Sequence, residues 1–115
     1  MLPAQYRLKN RKDFNEVFRQ GKTFSNEVLI IKYKEKEAGK LKIGFSVGLK
    51  VSKKSSKRNK IKRWMREALK PFLKEIKTGY QVIFLINSNF PCKQISYSLI
   101  REKIENLLRR SRLIK

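Results

Sequence analysis

The stretch YQVIFLIN, Tyr80 to Asn87, is apolar at most positions and carries no charge. A strand with one solvated face alternates apolar and polar residues, whereas a strand covered on both faces reads as a continuous apolar run. We therefore predict that Tyr80–Asn87 is a central strand buried on both faces of its sheet.

Two further strands are predicted upstream. NEVLIIKYK, Asn26 to Lys34, is rich in residues that favour strands, and LKIGFSV, Leu41 to Val47, alternates in polarity. Between them lies EKEAGK, a polar turn in which Glu35 and Glu37 are interpreted as solubilising charges. The sequence therefore predicts a β-hairpin formed by these two strands.

A first, short helix is predicted before the strands, within NRKDFNEVFRQG. Asn10 is a good N-cap residue and Gly21 a good C′ residue. Phe14, Val17 and Phe18 follow the i, i+3, i+4 spacing, so they share one face of this helix.

Two longer helices are predicted later in the chain. The second helix follows the basic loop VSKKSSK, with Ser55 or Ser56 as its N-cap, and Pro71 should kink or interrupt it after Lys70. Ser96 can cap the third, whose apolar positions are Leu99, Ile100, Ile104, Leu107 and Leu108. The element order αββαβα predicts one α+β domain, residues 1–115, with helices packed on a small mixed sheet.

The charge of the chain is its outstanding property. Thirty Lys and Arg stand against nine Asp and Glu, which gives a formal net charge of +21. A compact domain with this charge repels itself and is expected to work against a polyanion. Nucleic acid is the first candidate; an acidic membrane surface and an acidic protein are the alternatives.

The second helix shows how that charge is arranged. On a helical wheel of KRNKIKRWMREALK, Ile61, Trp64 and Met65 gather with Ala68 and Leu69 on one side. Asn59, Lys62, Arg63, Arg66 and Lys70 gather on the other. Like charges at i, i+4 cost a few tenths of a kcal/mol per pair, a cost that bound phosphates would offset. The pattern predicts Trp64 as a core anchor beneath a nucleic-acid-binding face.

Phe14 and Phe18 allow two interpretations. Aromatic residues at i, i+4 of a helix usually belong to the core. These two, however, lie among basic residues, and exposed aromatics beside cations are a platform for single-stranded bases.

The sequence offers little for catalysis by the chain itself. It contains no His and one Cys, Cys92, which excludes an internal disulfide and the usual Ser-His or Cys-His nucleophiles. No carboxylates cluster in a motif, so we predict no catalytic residue and no metal site in the protein. A lone Cys without a signal peptide or membrane span predicts a cytoplasmic protein with no membrane partner and no small-molecule substrate.

KRNKIKRWMRE, Lys57 to Glu67, resembles the RNR signature of the bacterial ribonuclease P protein subunit. RLKNRKDFNEVFRQGKTF resembles the opening helix of that family, and LKIGFSVGLKV resembles the strand that leads to the signature. The resemblance covers nearly the whole chain. It implies an αββαβα sandwich with a left-handed βαβ crossover, similar to a ribosomal protein domain.

The resemblance also implies a function. Family members bind a catalytic RNA and assist the Mg²⁺-dependent endonucleolytic removal of the 5′ leader from precursor tRNA, with Mg²⁺ bound mainly by the RNA. The alternative is a ribosomal or rRNA-binding structural protein of similar fold, which would have no use for a leader cleft.

Residue roles follow from the same resemblance. The expected contacts to the RNA subunit are Lys53, Lys54, Lys57, Arg58, Asn59, Lys60, Lys62, Arg63 and Arg66. The expected contacts to the leader are Phe14, Phe18, Lys32, Ser46 and Lys50. Two positions depart from the family pattern. Lys60 replaces the second Arg of the signature, and Lys32 stands where some members carry a leader-contacting Tyr.

Overall fold

The computed structural model describes residues 3–36 and 38–114. Met1, Leu2, Glu37 and Lys115 lie outside the described residues, and so does the prediction made for Glu37. Within the described part, the main elements are α1 Arg11–Gln20, β1 Lys22–Ser25, β2 Leu29–Glu35, β3 Leu41–Ser46, α2 Ser55–Leu69, β4 Tyr80–Ile86 and α3 Tyr97–Arg110. Short 3₁₀ helices span Ala4–Tyr6, Lys70–Phe72 and Cys92–Gln94.

Strand β4 lies inside the sheet, as predicted. The strand order is β1-β2-β4-β3, with β4 antiparallel to β2 and parallel to β3. Val82, Ile83 and Phe84 are almost completely buried although neighbouring residues point to opposite faces. The α+β class and the mixed sheet are therefore confirmed.

The predicted hairpin between the second and third strand segments is wrong. β4 lies between β2 and β3 and pairs with both of them. An apolar strand such as β4 buries its backbone groups best when it has a hydrogen-bonded neighbour on each edge. β3 and β4 are parallel, and the connection between them contains α2, as parallel pairing requires. The left hand of this crossover stays a prediction.

Strand β1 was not predicted, and it supplies the actual hairpin. Lys22–Ser25 pairs antiparallel with β2. Asn26, predicted as the start of a strand, instead forms the turn, because its side-chain oxygen accepts from the backbone amides of Val28 and Leu29 at 3.0 and 2.8 Å. The edge strand is short and mostly exposed, which leaves no apolar signal in the sequence.

The main core lies between one face of the sheet and helices α2 and α3. Leu29, Ile31, Ile43 and Phe84 point into it from the sheet. The predicted apolar positions of the helices complete this core: Ile61, Met65, Ala68, Leu69, Ile100, Ile104, Leu107 and Leu108. None of the described helices combines the length and the apolar character needed to cross a membrane.

Trp64 is the exception among the predicted anchors of α2. It is only partly buried and packs against the margin of the core, whereas Ile61 and Met65 are fully buried. On the helical wheel, Trp64 is at the edge of the apolar stripe, and an amphipathic indole is well suited to that position. Met65, rather than Trp64, is the central anchor.

Helix α1 packs on the opposite face of the sheet. The Asn10 side chain accepts from the Lys12 amide at 2.9 Å, which confirms the predicted N-cap. On the sheet, Ile83 lies between its register partners Lys32 and Gly44. Val17 and Ile83 are both fully buried but stand outside the main core, so they form a second, smaller packing layer.

The other predicted helix ends, at Ser55 or Ser56, Pro71 and Ser96, can be compared with the observed ends of α2 and α3. The caps at Ser55 or Ser56 are wrong, because α2 begins at Ser55 and the preceding residue, Lys54, makes no capping hydrogen bond with its side chain. The predicted interruption at Pro71 is confirmed by a switch to a 3₁₀ turn after Leu69. The Ser96 hydroxyl accepts from the Leu99 amide at 3.2 Å, which confirms that cap.

Gly21 ends α1 for a different reason from the one predicted. Its φ is −72°, so it does not adopt the left-handed conformation typical of a C′ glycine. A Cβ at this position would lie 2.6 Å from the Val17 carbonyl oxygen and 2.9 Å from the Tyr33 carbonyl oxygen. Glycine is required here because α1 and β2 approach each other closely.

Gly21→Ala is therefore expected to lower the free energy of unfolding by about 1–3 kcal/mol, as overpacking does in a tight site. The matched control is Gly48→Ala, because Gly48 is exposed and its nearest neighbouring atom would be 4.0 Å from a new Cβ. Urea denaturation of both variants measures the difference. Equal stability of the two variants would contradict the steric explanation.

Candidate nucleic-acid interface

The basic face of α2 consists of Lys57, Arg58, Asn59, Lys60, Lys62, Arg63 and Arg66. Throughout the described ranges, no carboxylate comes within 4.0 Å of these cations. The Glu67 carboxylate is instead 3.1 Å from the Lys70 ammonium. The Lys70 ammonium lowers the pKa of Glu67 and the carboxylate raises the pKa of Lys70.

Carboxylates elsewhere on the molecule neutralise other cations. Lys34 pairs with Glu16, Lys103 pairs with Glu27, and the Arg109 guanidinium lies 2.8 Å from the Glu105 carboxylate. The first pair holds α1 to β2, the second links α3 to the β1–β2 turn, and the third lies within α3. The internal ion pairs thus leave the cations of the basic face available for an external partner.

The basic face divides into an outer surface and a groove. Asn59, Lys60 and Arg63 are exposed. Lys62 and Arg66 are partly buried and line a groove of about 280 Å³ together with Arg7, Leu8, Lys9 and β3 residues 43–45. The contribution of the N-terminal segment was missed. Its signal in the sequence is the basic run RLKNRK, residues 7–12, which precedes and enters α1.

Arg58 has a structural role in addition to its predicted one. Its guanidinium donates to the Ser52 carbonyl at 2.9 Å and so ties the start of α2 to the preceding loop. The Lys54 amide donates to the Ser52 hydroxyl at 3.2 Å in the same loop. Lys53 and Lys54 are exposed beside it, so the loop extends the positive surface past the helix.

Trp64 orders two of the predicted RNA-binding lysines. The ammonium groups of Lys57 and Lys60 lie 5.8 and 5.1 Å from the centroid of its ring. Cations over an indole face gain about 0.5–1 kcal/mol at exposed sites. Trp64 therefore positions charge at the surface as well as packing against the core.

The second candidate surface is the α1 face, the side of the sheet covered by α1. Phe14 is partly buried, and its ring lies against Gly44, where a Cβ would come within 3.0 Å of the ring. Phe18 is 43% exposed. The two rings therefore have different environments, Phe14 being mainly a packing residue and Phe18 an accessible aromatic.

Lys32 is the predicted leader contact that lies against Phe18, and Ser46 and Lys50 continue the surface from there. The Lys32 ammonium is 4.8 Å from the centroid of the Phe18 ring and 3.4 Å from the Thr23 hydroxyl. Ser46 is on the same face of the sheet, in the row next to Lys32. Lys50 is exposed in the loop after β3, beside Leu49, which is 68% exposed and was not singled out from the sequence.

Ion pairs attach α1 to the sheet next to this surface. The Lys34 ammonium pairs with Glu16 and donates to the Gln20 side-chain oxygen at 2.7 Å. Hydrogen bonding and charge from Lys34 lower the pKa of Glu16. The Lys36 ammonium lies 3.8 Å from Asp13 and 3.6 Å from Glu16.

The described residues contain no group of three or more His, Cys, Asp or Glu side chains placed to hold a metal ion. Cys92 is partly buried in a 3₁₀ turn.

Comparison with known proteins identifies the family. The family model described as Ribonuclease P matches residues 2–112, which is nearly the whole chain. The chain belongs to the ribonuclease P protein family. It is thus a subunit of an endoribonuclease whose catalytic chemistry lies in an RNA. This membership favours the ribonuclease P interpretation over the ribosomal alternative.

Individual ribonuclease P proteins agree with this assignment. The ribonuclease P protein component of Picosynechococcus is 35% identical over 93% of this chain and 90% of its own length. That of Oceanobacillus iheyensis is 32% identical over 99% and 93%. The solved RNase P protein from Thermotoga maritima superposes with a TM-score of 0.78 at 30% identity, covering 90% of this chain and 96% of its own.

The Glu16–Lys34 pair leads to a pH-dependent prediction. Because the pKa of Glu16 is lowered in the folded protein, the stabilising contribution is present above its ordinary value of 4.5 and is lost as pH falls through the lowered pKa. Glu16→Gln should therefore be less stable than the parent at pH 7, and the difference should be smaller at pH 3. Denaturant titrations at both pH values measure it.

The control for this experiment is Glu75→Gln, because Glu75 is exposed and has no ion pair among the residues that the structure describes. Its effect on stability should be small at both pH values. If Glu16→Gln were equally destabilising at pH 3 and pH 7, packing of the side chain rather than its charge would hold α1.

Proposed function

We propose that this ribonuclease P subunit binds the catalytic RNA with the basic face of α2 and the 5′ leader of precursor tRNA with the α1 face. In this way it assists the removal of the leader during tRNA 5′ maturation. The observation that carries the proposal is the absence of carboxylate partners for the basic face within the described residues, although five other cations of the chain are paired.

The RNA subunit fits the basic face because phosphates provide the missing negative charge. Arg63 is exposed and Arg66 lines the groove, so the two can grip phosphates on adjoining parts of one surface. Asn59 is exposed between them and the loop, where it can read a base edge or a 2′-hydroxyl. Lys60 supplies a point charge, since an ammonium cannot form the bidentate contact of an arginine.

The leader fits the α1 face because a single strand exposes bases for stacking. Phe18 offers an accessible ring, and Lys32 beside it offers a cation for the backbone. Because Lys32 already covers part of the Phe18 ring, the contact is expected to combine one stacked base with one phosphate. Ser46 and Lys50 extend the path toward the start of α2.

Catalysis in this proposal requires no side chain of the protein to act on the scissile bond. The chain supplies positive charge, a stacking ring and a fixed distance between two RNA-binding surfaces. We propose that Mg²⁺ is bound mainly by the RNA, that residues 1–115 act as one RNA-binding domain, and that the complex works in the cytoplasm.

Arg63→Ala and Arg66→Ala should each weaken assembly with the RNA subunit. Each should reduce the magnitude of the slope of log K against log salt by about one unit, as loss of one phosphate contact does. These residues are better probes than Arg58, whose hydrogen bond to Ser52 makes loss of loop structure a second cause. Filter binding over a range of KCl concentrations measures the slope.

Lys93→Ala is the matched control, because Lys93 is an exposed cation in a 3₁₀ turn outside α2. Its salt slope should equal that of the parent. Equal slopes for Arg63→Ala, Arg66→Ala and Lys93→Ala would mean that the RNA subunit is held by diffuse charge and not by the basic face of α2.

Phe18→Ala should weaken binding of precursor tRNA by about 1–3 kcal/mol while leaving mature tRNA, which has no leader, nearly unaffected. Since Phe18 is 43% exposed, the variant should remain folded. Affinities of the reconstituted complex for the two tRNAs, with a thermal melt of the protein, test this. Arg63→Ala is the comparison, and it should change both affinities alike. A folded Phe18→Ala protein with unchanged selectivity for precursor tRNA would exclude a stacking role.

A further inference from the structure

A pocket of about 400 Å³ lies at the other end of α1 from Phe18. It is bounded by the N-terminal segment, the first turn of α1 and the ends of β2, β3 and β4 nearest to them. Arg7, Leu8 and Lys9 line both this pocket and the groove of the basic face, whereas none of the residues expected from the sequence to contact the leader or the RNA subunit lines it. Its volume is within the range of sites for small molecules.

Gln81 on β4 is the unusual feature of this pocket. The residue is 7% exposed, and its side-chain oxygen is buried without a hydrogen-bond partner among the described residues. Its register neighbours on the two sides are Lys34 and Lys42. Lys34 is engaged with Glu16 and Gln20, and Lys42 donates to the Gln5 carbonyl at 2.7 Å, so neither satisfies the amide.

A buried amide without a partner destabilises the protein that contains it. Nearly all buried polar groups are paired, so an orphan in the wall of a pocket indicates a partner that arrives from outside. An amide has both a donor and an acceptor, and the edge of a base or a ribose hydroxyl offers the complementary groups. The phosphodiester group of an RNA strand could accept from such an amide but has no hydrogen to donate to its oxygen.

The charge of the residues that line the pocket indicates which further group the ligand carries. Apart from Arg7 and Lys40, its described lining contains three cations, Lys9, Lys36 and Lys42, and the carboxylate of Asp13. Asp13 lies 3.8 Å from the Lys36 ammonium, which offsets its charge. The excess of positive charge favours a ligand that carries a phosphate.

We propose that this pocket binds one nucleotide of an RNA strand, with its base or sugar on the Gln81 amide and its phosphate among the lysines. It would be a third RNA contact, at the end of α1 away from Phe18. The proposal rests on the proposed function only in taking RNA as the partner. The strand is either the RNA subunit or the precursor.

The first experiment uses adenosine 5′-monophosphate and inorganic phosphate as probes in titrations followed by NMR of the protein amides. Gln81→Met removes the amide but keeps an unbranched side chain of similar length. It should bind adenosine 5′-monophosphate about fivefold more weakly and inorganic phosphate unchanged. Lys42→Gln should weaken both probes. Gln94→Met and Lys93→Gln, at exposed positions in a 3₁₀ turn, should change neither.

Stability gives an independent readout on the same variants. Because the orphan amide is a cost in the free protein, Gln81→Met should melt at the same temperature as the parent or higher. A purely structural role predicts a lower melting temperature. Gln81→Leu is the second variant if the methionine protein does not fold. Unchanged binding of adenosine 5′-monophosphate by a folded Gln81 variant would overturn the proposal.

The second experiment identifies the strand in the assembled complex. A photoreactive group is attached to Lys36→Cys in a Cys92→Ser background, with Lys93→Cys as the control, and the complex is reconstituted with the RNA subunit and precursor tRNA. A crosslink above the control to one RNA identifies the source of the nucleotide. No crosslink above the control, with normal assembly and leader selectivity, would overturn this inference alone, whereas failure of the unsubstituted protein to assemble with the RNA subunit would overturn the proposed function.

Discussion

The structure depends on the burial of β4 on both of its faces. Its alternating residues face two different layers, with Val82 and Phe84 toward the main core and Ile83 toward α1. A strand in this position needs neighbours on both edges, and β2 and β3 supply them. Every functional surface described above is placed relative to this strand, since α2 lies on one side of it and α1 on the other.

The positions of the few carboxylates determine which parts of the surface are positively charged. Glu16 and Asp13 on α1 pair with Lys34 and Lys36. Glu27 pairs with Lys103 on α3. Lys53, Lys54 and the six Lys and Arg of the basic face have no carboxylate partner among the described residues, so α2 and its preceding loop hold a large share of the net charge of +21. The resulting self-repulsion disfavours the compact state, and a polyanion that neutralises it stabilises the fold and the complex together.

The two aromatic sites differ in how they combine packing with recognition. Trp64 is covered on one side by the core and carries Lys57 and Lys60 on its ring. Phe18 is 43% exposed and carries the Lys32 ammonium over its ring. An aromatic ring with cations over it is a preorganised site, because the side chains have already lost part of their rotamer freedom before any partner binds.

The sequence alone determined the class of the fold, the central position of β4 and the apolar stripes of α2 and α3, because these follow from local periodicity. It also determined the family and the basic face, because charge and the KRNKIKRWMRE motif are contiguous. Tertiary structure decided the rest. The place of β4 between β2 and β3, the close approach that requires Gly21, and the pairing of Lys32 with Phe18 all join residues distant in sequence. The orphan amide of Gln81 belongs here too, since a glutamine in an apolar run gives no sign of its missing partner until the surrounding layers are in place.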